Sequence, residues 1–107
     1  MMTAKQFQPF VDRDGGRCLH CGTTEGLVPQ HRQGGMGGGR FKNRASNVIT
    51  FCGAYNGAIE SSAEQAEIAR AHGWKLRPGD DPLTRPVFDR MAGEWYFLDD
   101  DYNRTKA

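Results

Sequence analysis

No stretch of this 107-residue chain approaches the length of a membrane span, and Met1 to Phe10 hold no apolar run. The expectation is a soluble protein made and used in a cytoplasm, with no membrane partner. Apolar residues are scarce too, at 37%, and fourteen glycines dilute them further. A chain so short and polar forms one domain, 1–107, with a modest core that a bound metal would help to hold. Internal repeats are absent. Cysteine is too sparse for a disulfide framework: there are three, an odd number, and two stand in Cys18-Leu-His-Cys21. Without a secretion signal, that spacing suggests a metal site before a disulfide.

Acidic residues are missing from one long segment. Gly26 to Ile59 holds no Asp or Glu, while Arg32, Arg40, Lys42 and Arg44 fall inside it. From Glu60 to Ala107 the balance reverses, with ten acidic residues against seven Lys and Arg. A basic, carboxylate-free loop is what a polyanion docks against, since each cation near a phosphate displaces condensed counterions. The same charges also serve a solvated glycine loop as ordinary solubilising groups, and charge alone leaves both readings open. Gly34 to Gly39, five glycines in six positions, lacks the Gly-Lys-Ser/Thr ending of a phosphate-binding P-loop.

What is present falls into order along the chain. Residues 1–16 read as a polar lead-in in which Phe7, Phe10 and Val11 pack on the core. Cys18 to Gly22 reads as a knuckle, Leu27 to His31 as a short strand, and Asn47 to Phe51 as a second strand. A helix is expected from near Cys52, with Asn56 and Glu60 on one face. Ser62 and Gln65 fit a capping box for a further helix ending at Gly73. Pro86 to Asp89 and Glu94 to Asp99 predict a closing β-hairpin rich in aromatics.

Cys18-x-x-Cys21, Pro29-Gln30-His31-Arg32, a Gly-Gly loop, Ser46-Asn47-Val48-Ile49, Cys52 and Asn56 together resemble the HNH (ββα-metal) endonuclease family. The match covers roughly residues 17–60. The remainder, 61–107, is similar to small HNH proteins of actinobacterial phages. The resemblance implies an α+β fold: a ββα-metal core with a zinc-knuckle-like N-terminal turn, a following helix and a C-terminal β-hairpin. It also implies hydrolysis of phosphodiesters in double-stranded DNA, in a host cell's cytoplasm, either beside phage terminase as a partner in DNA packaging or as a free-standing homing-type enzyme.

By the same resemblance His31 is the base that activates water and Asn47 ties the loop between the strands, with Asn56 completing the catalytic set. One divalent cation (Mg, Mn or Ni) sits on the scissile phosphate. Two departures stand out. The residue before the histidine is commonly Asp or His, and here it is Gln30; the last motif position is often His, and here it is Asn56. Gln30, Asn56 and Glu60 are the expected ligands of that cation, although Glu60 reads equally well as a helix-surface carboxylate. The second CxxC pair is also incomplete: Cys52 is followed by Gly-Ala-Tyr55. Structural zinc on Cys18, Cys21 and Cys52 then takes a fourth ligand from His20, His72 or water, or else the ion is lost and Tyr55 packs in its place. Arg32, Arg40, Lys42 and Arg44 are the expected DNA contacts. The competing expectation is a catalytically weak or inactive, zinc-stabilised DNA-binding or terminase accessory module.

Overall fold

The computed structural model describes residues 2–34 and 42–107. It opens with a helix, α1 (Ala4–Arg13), where the sequence suggested only a polar lead-in. Thr3 and Gln6 close a reciprocal capping box, which satisfies two of the amide groups that a helix start leaves unpaired. Phe7 and Phe10, one turn apart, turn the apolar face inward. Pro9 inside the helix obscured that signal in the sequence. Arg13 pins α1 to the next layer by donating to the carbonyls of Ala45 (2.7 Å) and Val48 (2.6 Å). Its neighbour Asp14 is buried and accepts from the amide of Thr50 at 3.0 Å.

Strands β1 (Leu27–His31) and β2 (Val48–Cys52) form an antiparallel ribbon, pairing Leu27 with Cys52 at one end and His31 with Val48 at the other. Asn47 ends a short 3-10 turn, Ala45–Asn47, just before β2. Helix α2 (Gly53–Ser61) follows without a break, because the Cys52 sulfur accepts from the Tyr55 amide and serves as its N-cap. Helix α3 (Ala63–Ala71) starts at Ser62, whose hydroxyl accepts from the Gln65 amide. The box is only half made, since the Gln65 side chain accepts from the Tyr55 hydroxyl at 3.0 Å. At Gly73 the backbone has φ +73 and passes against Pro86, where any side chain would collide.

Strands β3 (Val87–Asp89) and β4 (Glu94–Leu98) form the expected hairpin, and β5 (Arg104–Lys106) extends it to a three-stranded antiparallel sheet. The short polar run Arg104-Thr-Lys106 carries no apolar alternation, so nothing in the sequence marked it as a strand. Three helices and two antiparallel sheets give an α+β architecture among the described residues. The main core gathers Ile49, Phe51, Ile59, Trp74, Val87 and Leu98 between the two sheets and the helices. Trp74, 1% exposed, donates its indole N–H to the Phe88 carbonyl at 2.7 Å. None of the described helices is long and apolar enough to cross a membrane.

Candidate functional site

At one end of the ribbon the three cysteines meet. The knuckle closes through the Gly22 amide, which donates to the Cys18 carbonyl at 2.9 Å, with Gly22 in the left-handed region at φ +79. The Leu19 amide donates to the Thr50 carbonyl at 3.0 Å and docks the knuckle on β2. The sulfurs of Cys18, Cys21 and Cys52 lie within 4.8 Å of one another, and Cys21 and Cys52 are 3.7 Å apart. The amides of His20 and Tyr55 point at the sulfurs of Cys18 and Cys52. Burial pushes the Cys18 thiol up, while the backbone N–H of Thr23 holds the exposed Cys21 thiol down. Three converging soft donors fit a metal such as zinc.

Among the described residues no fourth His, Cys, Asp or Glu atom joins that group. Tyr55 turns its hydroxyl to Gln65 on α3, and His72 stacks on Trp74 with Nδ1 2.7 Å from the Ile68 carbonyl. Neither therefore faces the sulfurs. The His20 ring lies flat on Tyr55 at 3.6 Å, with Nδ1 buried and without a hydrogen-bond partner. Burial lowers its pKa, and the charge of Arg90 adds to that shift.

At the other end of the ribbon a cleft of about 690 Å³ opens. His31 and Gln30 come to it from β1, Asn56 and Glu60 from successive turns of α2, and Lys42 from the end of the loop. His31 is half-buried, and its Nε2 lies 2.6 Å from Oδ1 of Asn43. A carbonyl oxygen can only accept, so Nε2 is the donor in this contact. Asn47 is buried and clamps both ends of the intervening loop: Oδ1 accepts from the Gln33 amide, and Nδ2 donates to the carbonyls of Gln33 and Lys42, each at 2.9 Å.

Gln30 does not meet the expectation of an open ligand. Its side chain is 1% exposed, its amide nitrogen donates to the carbonyls of His31 and Trp74, and its oxygen already accepts from Nδ2 of Asn56. It orients Asn56, whose own carbonyl oxygen is the better candidate donor. Glu60 is exposed on the cleft's rim, and among the described residues it forms no ion pair.

The expected phosphate contacts divide. Arg32 is 0% exposed, with its guanidinium taken up by the carbonyls of Gly73, Ser46, Pro82 and Arg85 at 2.6–3.1 Å. Burial draws its pKa down to about 10. No phosphate reaches it, because a buried guanidinium must find partners inside the protein and here it found carbonyls. Arg44 pairs with Asp100 at 2.6 Å, which raises the arginine's pKa and holds that carboxyl down at about 2. Arg40 lies outside the described residues. Lys42 is exposed and lines the cleft.

Three cations of the same cleft were missed in the sequence: Arg70 at the end of α3, and Lys75 and Arg77 just after it. The net acidity of residues 60–107, averaged over the segment, hid them. Compared with family models, characterised proteins and solved structures, the chain finds no match.

Proposed function

We propose that the protein is a metal-dependent DNA endonuclease of the HNH (ββα-metal) type that hydrolyses phosphodiester bonds in the cleft at His31. The observation that carries this reading is that His31, Asn56, Glu60 and Lys42 all line one open cavity of about 690 Å³. His31 on β1, Asn47 in the turn just ahead of β2 and Asn56 on α2 follow one another in the order of the motif, which supports this reading.

In this mechanism Nδ1 of His31 takes a proton from the attacking water as its oxygen bonds to phosphorus and the bond to the leaving sugar oxygen breaks. Asn43 holds the opposite ring nitrogen, which fixes the tautomer, and Asn47 fixes the backbone of the loop next to it. Lys42 offsets phosphate charge. The carbonyl oxygen of Asn56 and the carboxylate of Glu60, hard donors that suit Mg, Mn or Ni, would hold the divalent cation. When bound, that ion supplies Lewis acidity at the phosphate and the leaving oxygen. By its resemblance to small phage HNH proteins, the substrate is double-stranded DNA and the partner a phage terminase.

A second reading, a zinc-stabilised DNA-binding or accessory module without catalysis, is favoured by Gln30, whose oxygen is engaged by Asn56 where the family offers an acid or imidazole. One assay separates them. Supercoiled plasmid is incubated with the protein and Mg²⁺, Mn²⁺ or Ni²⁺, beside His31→Ala. The nuclease reading expects metal-dependent nicking, at least about 100-fold slower in the variant. A gel shift with no cutting in any metal supports the module instead.

A further inference from the structure

Of the four arginines and lysines first expected to meet DNA, only Lys42 is both described and open to the cleft. Arg32 is walled in by carbonyls, and Arg44 is tied to Asp100. The cleft is nevertheless strongly cationic, since Lys42, Arg70, Lys75 and Arg77 line it against the single carboxylate of Glu60. Three of these four cations stand on the wall formed by the end of α3 and the segment after it. Arg70 is shared with Glu67 one turn back. Arg77 stands only 3.9 Å from the same carboxylate, with both side chains 64% exposed, a geometry in which ion pairing contributes little. Lys75 forms no ion pair among the described residues.

This wall is held firmly against the strand that carries His31. The Leu76 amide donates to the Arg32 carbonyl at 2.6 Å. The Gln33 side chain donates to the carbonyls of Arg77 and Asp80, each at 2.8 Å, and the Arg77 amide donates to the Asp80 carboxylate at 3.0 Å. The Arg32 guanidinium reaches Gly73, Pro82 and Arg85 on that segment and Ser46 ahead of β2. Arg32 is thus a bracket. Its charge is used internally to hold the segment bearing Lys75 and Arg77 beside the residues just past His31.

We propose that Lys75 and Arg77, which line the cleft together with Lys42, form a phosphate grip for the DNA backbone that lies outside the motif-bearing residues 17–60. The proposal rests on the nuclease reading for its ligand, duplex DNA. Cations fixed to a rigid frame hold a phosphate without first being ordered, so they contribute to affinity more than loop lysines do. They carry no base selectivity.

The test is binding of the full chain to a fluorescent 20-base-pair duplex, by anisotropy, across a KCl series without added divalent cation. Lys75→Gln/Arg77→Gln is compared with Lys5→Gln/Lys106→Gln, a matched charge change at two exposed residues outside the cleft. The cleft variant is expected to bind at least about tenfold more weakly at 0.1 M KCl, with the slope of log K against log[KCl] reduced by about 1.8. The control pair is expected to change neither by more than about twofold in affinity, with far-UV dichroism unchanged in all. Wild-type affinity and slope in the cleft variant, or an equal loss in the control pair, overturns the grip. The plasmid assay on His31→Ala is read separately. Cutting that depends on His31 together with an unaltered cleft variant sinks the grip and leaves the nuclease, whereas a reduced slope without cutting keeps the grip and sinks the nuclease.

Discussion

The two ends of the β1–β2 ribbon are built from opposite chemistry. Where Leu27 pairs with Cys52, three sulfurs sit within 4.8 Å of one another against the stacked rings of His20 and Tyr55. Where His31 pairs with Val48, an imidazole, an amide oxygen and a carboxylate are spread around an open cleft. Converged thiolates suit an ion that stays. Sparse hard oxygens, one an amide and one a carboxylate, suit one that arrives with an anionic substrate and leaves with it. The ends are joined mechanically, because Cys52 caps the helix that carries Asn56 and Glu60. The cysteine cluster and the cleft thus share one helix, capped at Cys52 and lining the cleft with Asn56 and Glu60.

The largest effect that would sharpen this comparison is metal removal. Protein purified without chelator is expected to carry about one zinc per chain, and stripping it is expected to lower Tm by more than about 10 °C. Less than about 0.2 zinc per chain, or an unchanged Tm, would break the contrast by making the cluster a set of packed thiols. Asn47→Ala comes next. It removes three hydrogen bonds to the loop backbone, two of them donated by Nδ2 of Asn47, and is expected to cost about 2–3 kcal/mol in urea unfolding and to slow nicking with zinc content unchanged. An unaltered unfolding midpoint would show that the loop near His31 is held by other means.

The smallest effect is acidic. Asp100 accepts from Arg44 and Ser46, which lowers its carboxyl from 3.8 to about 2. A lowered carboxyl contributes stability that is complete above the unfolded value and lost as pH falls through the folded one. Because the side chain is 40% exposed, the loss is about 1 kcal/mol as pH drops from about 4 to about 2. Asp100→Asn is expected to flatten that slope. A slope as steep as wild type's would place the titration elsewhere.

How legible the molecule was in its sequence follows the range of each signal. The ribbon, α2, α3 and the meeting of Cys18, Cys21 and Cys52 were readable because β-branched runs, caps and CxxC spacing are local. Helix α1 was hidden by Pro9, and β5 by its polarity. The fates of Arg32 and Arg44 were unreadable for another reason. Their partners lie 14–56 residues away, and a charge run says nothing about which cation the fold will bury. Lys75 and Arg77 were lost in the average of an acidic segment, although the cleft draws on those cations and not on Glu64, Glu67 or Asp80.

The central claim, that Nδ1 of His31 accepts the proton of the attacking water, is tested most directly by chemical rescue. His31→Gly is assayed for plasmid nicking in Mn²⁺ with and without added imidazole. The account predicts near-complete loss of nicking in the variant, and recovery that rises with imidazole in the variant alone. Wild-type nicking by His31→Gly without imidazole would contradict it.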